Sequence, residues 1–336
     1  MKFLKRIGID TYMLLLVATV CLGLLIPARG IAMTGLGHVT FWAVALLFFL
    51  YGAKLDASSV KAGLMNWRLQ GLTFLATYLV IPIIGLALAA VFGPLLGTTV
   101  TLGLLFLAVL PSTVQSSIAF TSIAGGNVPA AICAASVSNM IGVALTPALV
   151  ALLMHQGTGG VSFDAVIKIS TQILLPFVLG QMVRPLIGSF IARHKLLTMV
   201  VDRGSILLIV YKAFSSGTTS GLWNAIPLSS LAMLFVVILI FLALTMASMI
   251  VGGRVFKLNY PDSAVLFYCG STKSLASGLP IASALFAADQ VGAIVLPIMI
   301  YHMSQLLVCA YVSQKAGRRI REEETRQGAL ASQGAK

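Results

Sequence analysis

Two polar clusters interrupt long apolar stretches of this chain: Pro111-Ser112-Thr113-Val114-Gln115-Ser116-Ser117 and Gly270-Ser271-Thr272-Lys273-Ser274. Each sets a helix breaker beside hydroxyls. Proline has no backbone donor and glycine is conformationally permissive, so both loosen a helix and free its carbonyls. Freed carbonyls, hydroxyls and amides together make an oxygen-rich site for a cation or a small polar solute. Lys273 adds the single charge. Further polar side chains recur at helical spacing: Ser112, Gln115 and Ser116 at i, i+3 and i+4, then Ser136 with Asn139, and His302 with Gln305. With Asn127, which precedes the next long apolar run, the candidate substrate- or ion-binding set is Ser112, Thr113, Gln115, Ser116, Ser117, Asn127, Ser136, Asn139, Ser271, Thr272, Lys273, Ser274, His302 and Gln305.

The same residues argue against an enzyme. Of the four histidines, His38, His155, His194 and His302, only His302 lies deep in an apolar run. Ser271 with His302 lacks a nucleophile-bearing GxSx turn. No HExxH and no GxxxxGK[ST] occurs, which removes the common metalloprotease and nucleotide-triphosphate motifs. Cys21, Cys133, Cys269 and Cys309 all sit in apolar runs without CxxC spacing, so they read as small buried side chains. No catalytic residue, metal site or cofactor is expected.

The elements that position the polar clusters follow from composition. Of 336 residues, 59% are hydrophobic and 9% charged, against about 25% charged in a soluble domain. Mean hydropathy is +1.01. This rejects a soluble protein, and equally a disordered one. Apolar runs of membrane length fall at 11–27, 39–53, 69–92, 99–124, 128–154, 164–187, 203–219, 227–252, 263–286 and 290–314. The fold class is therefore an all-α polytopic membrane protein with ten transmembrane helices. The first run, with its basic N-terminus, has no clear cleavage site after it and reads as a span and not as a signal peptide. The polar clusters break the fourth and ninth spans in mid-membrane. Such irregular backbone is tolerated only where it is buried or lines a wet cavity.

Ten spans sort the 22 basic residues: eighteen lie on the side of the N-terminus and two, Arg29 and Lys212, on the other, with Lys168 and Lys273 inside spans. The positive-inside rule then puts both termini in the cytoplasm, in the cell (inner) membrane. The net charge of +13 thus reports topology, and no nucleic-acid partner is expected. No acid falls at mid-membrane: Asp10, Asp56, Asp164, Asp202, Asp262 and Asp289 lie at span ends or in loops, and Glu322, Glu323 and Glu324 in the tail. Trp42, Trp67 and Trp223 suit the membrane interfaces.

The chain divides near Gly157-Thr158-Gly159-Gly160 into residues 1–156 and 161–314, five spans each, followed by a cytoplasmic tail at 315–336. An odd number of spans per half inverts the second half. PSTVQSS at 111–117 echoes GSTKSLA at 270–276, and Asn127-Val128-Pro129-Ala130 echoes Gln290-Val291-Gly292-Ala293. Asn127 and Asp289 suit helix N-caps, and Pro129 suits a first turn. Inverted repeats with paired broken helices are a transporter architecture, with the binding site at the breaks.

The stretches LPSTVQSSIAFTSIAGGNVPAA and FYCGSTKSLASGLPIA, with FFLYGAKL at 48–55 and LPFVLGQMVRPLIG at 175–188, resemble the bile acid:sodium symporter superfamily. The similarity is closest to the branch of bacterial YfeH and vertebrate solute carrier family 10 member 7, and covers essentially the whole chain. It implies two inverted five-helix repeats in which spans 4 and 9 unwind and cross. It also implies a core domain (spans 3–5 and 8–10) moving against a panel domain (spans 1, 2, 6 and 7), and an organic-anion cargo. In sodium-coupled members the cation ligands come from the span-4 break, early span 5 and a carboxylate-plus-amide motif in span 9. Ser116 and Ser117 match the first approximately. Ala131 and Ala135 stand where the hydroxyls would be, and Ser271-Thr272-Lys273-Ser274 replaces the carboxylate.

An intramembrane lysine costs roughly 2.5–3.5 kcal/mol on insertion scales. Our reading is that the Lys273 ammonium takes the place of a sodium ion at the crossover, held by freed carbonyls and hydroxyls. The alternatives are a lysine that deprotonates and couples transport to protons, or one that snorkels to the headgroups. Na⁺ and H⁺ both stay open as coupling ions, and oligomeric state stays open. Without a mid-membrane acid, the site favours anionic or neutral solutes. The expected function is a symporter-like secondary transporter of a small organic anion. Its competitors are a metalloid or inorganic oxyanion exporter, which would use Cys133 or Cys269, and a membrane regulator of ion homeostasis without classical transport.

Overall fold

The computed structural model describes residues 11–54, 66–154 and 163–334. Every described element is helical. In chain order these are α1 (Thr11–Leu25), α2 (Ile31–Lys54) and α3 (Trp67–Leu96, with a π-helical turn at Ala76–Val80). Then come α4 (Thr98–Ala108), α5 (Gln115–Ile123), α6 (Val128–Met154), α7 (Phe163–Arg193) and α8 (Lys195–Thr219). The last are α9 (Leu222–Ala225), α10 (Leu228–Val255), α11 (Tyr260–Ser271), α12 (Leu275–Leu285) and α13 (Ala288–Gly334). Among the described residues six, α2, α3, α6, α7, α10 and α13, are long and apolar enough to cross a membrane by length and composition.

The other four expected runs also fall on helices, three of them falling short for a physical reason. α1 is described for 15 residues. The fourth run is split into α4 and α5, and the ninth into α11 and α12. α8 carries Asp202, Arg203 and Lys212, which lower its hydropathy. The expected division at 157–160 lies outside the described residues, as do Lys2, Lys5, Arg6, Asp10, Asp56, Lys61 and His155.

Buried aromatic side chains of α2, α4, α10 and α13 (Phe48, Phe106, Phe241 and Tyr301) anchor the main core. Large apolar side chains such as Trp42, Leu152, Met182, Leu186 and Val251 are exposed, a distribution suited to lipid and not to water. Cys133, Cys269 and Cys309 are buried as expected, but Cys21 is exposed on this apolar exterior. Trp42 and Trp67 are exposed, whereas Trp223 stacks on Phe214 with ring centroids 5.0 Å apart. Asp289 lies in the first turn of α13 and not at its cap. Lys212 sits within α8, beside Gly37 of α2.

α2 and α7 approach most closely through matched glycines. Phe49-Leu50-Tyr51-Gly52 faces Phe177-Val178-Leu179-Gly180. A Cβ on Gly52 would land on the Phe177 carbonyl oxygen, and one on Gly180 on the Phe49 carbonyl oxygen. Small residues at helix seams let backbones touch where lipid offers no hydrophobic drive to associate. The obstacle at each glycine is backbone, which cannot rotate away. Gly52→Val and Gly180→Val should therefore each cost ~1–3 kcal/mol by overpacking, read as a lower unfolding midpoint in detergent. Gly71→Ala, with nothing within 4 Å, should not lower it. Wild-type midpoints for both valine variants would refute this seam.

Candidate functional site

The two helix interruptions have local causes. α4 ends at Ala108, and Val109 is already non-helical at φ −94°, ψ 3°. Pro111 then offers no N–H to restart the ladder. α11 begins with Asn259 capping the Asp262 amide at 2.9 Å, and ends at Ser271, after which Thr272 is extended (φ −88°, ψ 148°). Ser274 caps α12 by accepting from the Ser277 amide at 3.1 Å. The interrupted segments touch each other: the Ser274 amide donates to the Pro111 carbonyl at 2.8 Å. The hydroxyls of Ser112, Thr113 and Ser117 converge on Thr272 Oγ1 at 3.2, 3.0 and 2.7 Å.

Each carbonyl freed at the end of α4 finds a donor. Ala108 and Leu110 accept from Lys273 Nζ at 2.9 and 2.7 Å. Val109 accepts from Thr146 Oγ1 at 2.9 Å, Pro111 from the Ser274 amide, and Ser112 from Asn139 Nδ2 at 2.6 Å. Lys273 Nζ donates a third bond, at 3.0 Å, to the Thr77 carbonyl. That carbonyl is free for a legible reason. In the π turn Ile81 N–H bonds Ala76, and the next residue, Pro82, has no N–H to continue the ladder to Thr77. Lys273 is wholly buried. Its three acceptors at hydrogen-bond distance require three N–H groups, which an ammonium has and a neutral amine lacks. Among the described residues its Nζ bonds these carbonyls and no carboxylate.

Side-chain amides and a phenol brace the interruptions from neighbouring helices. Gln305, fully buried on α13, accepts from the Lys273 amide at 2.8 Å and donates to the Lys273 carbonyl at 2.9 Å. Asn139 on α6 donates to the Ser112 carbonyl and accepts from the Ser277 hydroxyl at 2.6 Å. Tyr301 Oη donates to the Ser271 carbonyl at 2.6 Å and lies 2.9 Å from Thr245 Oγ1 of α10.

A cavity of about 710 Å³ opens beside this bracing. One wall is polar: Thr113, Gln115, Ser116, Ser136, Asn139, Ser274, Ser277 and His302. The facing wall carries Tyr12 of α1, Tyr51 and Lys54 of α2, Phe177 of α7 and Asp202 and Arg203 of α8. Tyr51 Oη donates to Asp202 at 2.7 Å, and the Arg203 guanidinium lies 4.9 Å from the centre of the Tyr12 ring. A second cavity, about 900 Å³, shares Lys54, Gln115, Asp202 and Arg203 with the first and adds Arg184.

Of the candidate residues, Thr113, Gln115, Ser116, Ser136, Asn139, Ser274 and His302 line the cavity. Ser112, Ser117, Ser271, Thr272, Lys273 and Gln305 lie buried behind it in the bracing. Asn127 stands apart. It caps α6 through the Ala130 amide at 3.2 Å and donates to Asp262 at 2.8 Å, tying the starts of α6 and α11. Sequence reading missed Thr77, Tyr301, Thr146 and the wall formed by Tyr12, Tyr51, Lys54, Asp202 and Arg203. Pro82 inside an apolar run was the available signal for Thr77.

Residues 10–318 match the SBF-like CPA transporter family. An uncharacterized Pseudomonas aeruginosa protein is 46% identical over 311 residues, covering 92% of this chain and 93% of the relative. "Putative symporter YfeH" of Escherichia coli K12 is 40% identical over 323 residues, covering 96% and 97%. "Sodium/bile acid cotransporter 7" of Rattus norvegicus is 26% identical over 315 residues, covering 92% of both.

Lys273→Ala leaves three buried carbonyls without donors, at about 1–3 kcal/mol each. Its unfolding midpoint should fall well below wild type, and ammonium ions, entering the vacated space, should raise it again where choline does not. Wild type should not respond to ammonium. A Lys273→Ala protein as stable as wild type would refute the bracing role.

Proposed function

Because the chain belongs to the SBF-like CPA transporter family, in the YfeH and sodium/bile acid cotransporter 7 branch of the bile acid:sodium symporter superfamily, we propose that it moves a small organic anion by alternating access. That it is a multi-pass membrane protein of a transporter family follows from the match and its apolar helices. The observation that carries the finer reading is the cavity between two braced helix interruptions and a wall bearing Lys54 and Arg203. Among the described residues the one acid lining that cavity, Asp202, already accepts from Tyr51. Cationic cargo would meet two cations and an engaged carboxylate.

On this reading the split helices α4/α5 and α11/α12 are the broken, crossing spans 4 and 9 of a ten-helix inverted repeat. The core domain comprises α3–α6 and α10–α13, and the panel domain α1, α2, α7 and α8. Both termini are cytoplasmic in the inner membrane. Movement of the core against the panel opens the cavity to one side and then the other. The repeat boundary near 157–160 and the candidate residues keep the roles given above, with Asn127 as a helix cap.

Lys273 acts as a tethered cation in place of Na⁺. Three carbonyls at 2.7–3.0 Å from its Nζ are ligands of the kind a bound cation would take. Ala131 and Ala135 are fully buried and bring no hydroxyl. The exporter reading gains nothing: Cys269 Sγ faces the Ala131 carbonyl at 3.8 Å, outside the cavity.

The purified protein should be stabilised by its organic-anion cargo, since a ligand at about 100 times its Kd adds ~2.7 kcal/mol, and not by millimolar Na⁺. In proteoliposomes, uptake of that anion should persist when choline replaces Na⁺ and fall at least tenfold in Asn139→Ala. Strict Na⁺ dependence would overturn the tethered-cation reading. Full-rate uptake by Lys273→Ala with unchanged ion dependence would do the same.

A further inference from the structure

Gln305 is held in one orientation. Its Oε1 accepts from the Lys273 amide at 2.8 Å, and its Nε2 donates to the Lys273 carbonyl at 2.9 Å. Turning the amide over would face donor to donor and acceptor to acceptor. The assignment usually inferred for a glutamine is therefore fixed here by two backbone groups. The second hydrogen on Nε2 points at His302 Nδ1, 3.0 Å away. Nδ1 must then be the acceptor, so His302 is the neutral imidazole with its hydrogen on Nε2. An imidazolium carries hydrogen on both nitrogens and would set two N–H donors against each other at that distance.

His302 lines the central cavity, whereas Gln305 and Lys273 are buried behind it. We propose that His302 is the proton-accepting group of this site, and that its protonation releases the second helix interruption. A proton from cavity water binds the Nδ1 lone pair. The Gln305 Nε2–H bond to that lone pair is lost, and Gln305 turns away, freeing the Lys273 amide and carbonyl. Loss of the proton restores the bond. Resting on the transport reading above, this makes the proton the coupling ion. Lys273 stays a fixed cation, since its three carbonyls lie on α3 and at the end of α4 and not on Gln305.

Other ionisable groups line the same cavity as His302: Asp202 and Arg203 of α8, Tyr51 and Lys54 of α2, and Tyr12 of α1. Behind Gln305 lies Lys273. α8 packs on α13 directly and also carries Tyr211 and Lys212; α4, α5, α9 and α12, which also pack on α13, carry no charged or ionisable side chain, and the single one on α10, Arg254, sits at its C-terminal end. On α13 itself the neighbours are Tyr301 and Cys309. Of these, Lys273 also meets the imidazole, through its backbone; Gln305 is the side chain at Nδ1 that protonation must displace.

Two measurements test this without knowledge of the cargo. In full-length protein with His38, His155 and His194 replaced by glutamine, ¹⁵N spectra should show His302 at pH 8 with hydrogen on Nε2 and an accepting Nδ1. Hydrogen on Nδ1 at that pH would overturn the proposal, and this arm decides even where substitutions at 302 do not fold. Amide exchange of residues 271–279, normalised to the intrinsic rate at each pH, should be at least tenfold faster at pH 5 than at pH 8 in wild type. In His302→Gln, whose side-chain oxygen still accepts but binds no proton, the ratio should fall to near one. An equal acid response in both proteins would assign it to Asp202 or another group and overturn the proposal. Anion uptake indifferent to a pH gradient would overturn proton coupling while leaving the transport reading intact. A wild-type-only acid response without uptake of any anion would support the His302 switch and count against that reading.

Discussion

A bilayer offers no hydrogen bonds, so every backbone group freed where a helix stops inside it must be met by protein. That constraint organises this structure more than hydrophobic packing does. Five consecutive carbonyls, Ala108 to Ser112, are met by Lys273, Thr146, Ser274 and Asn139. Two of those four donors belong to the other interruption. Neither break can be satisfied alone. The two polar clusters seen in the sequence are halves of one hydrogen-bonded unit, tied to α3 through Thr77, to α6 through Asn139 and to α13 through Gln305.

The bonds also say what can move. Sliding one interruption against the other would leave several buried polar groups unpaired at about 1–3 kcal/mol each, so the unit is stiff. The facing wall is joined to it differently. Tyr51 bonds Asp202 and Arg203 overlies Tyr12, contacts made among α1, α2 and α8 themselves. The cavity lies between two groups of helices, and the polar contacts named for each stay within it. On the proposed reading this is why the groups can shift as bodies, with the glycine seam of α2 and α7 holding the second together.

Much of this was legible in the sequence, because intramembrane polar residues are expensive and so conspicuous. The two clusters, Lys273, Asn139, His302 and Gln305 all stood out, and the structure brings them together. Asn127 was legible as the helix cap it proves to be, although an asparagine that caps a helix and one that binds a ligand look alike in a sequence. The facing wall was missed for the opposite reason: Tyr12, Tyr51, Lys54, Asp202 and Arg203 lie at span ends, where charge is ordinary. Thr77 contributes only a carbonyl, which any residue has. Its availability depends on Pro82 and a π turn five residues long, and nothing in the threonine itself announces it.

A tethered ammonium and a bound ion solve the same electrostatic problem with different consequences. Both bring positive charge to freed carbonyls. The ion can leave, so its concentration can control the crossover. The lysine cannot leave, and its three directional hydrogens must match three fixed carbonyls, on α3 and at the end of α4. The binding is paid for once, in folding, and afterwards responds to no gradient. On the proposed reading, a carrier built this way has no exchangeable ion at that spot and needs a lever elsewhere. His302 is placed to supply it. Among the described residues it is the ionisable side chain that both lines the cavity and touches the bracing, and its bond to Gln305 is one whose sign reverses on gaining a proton.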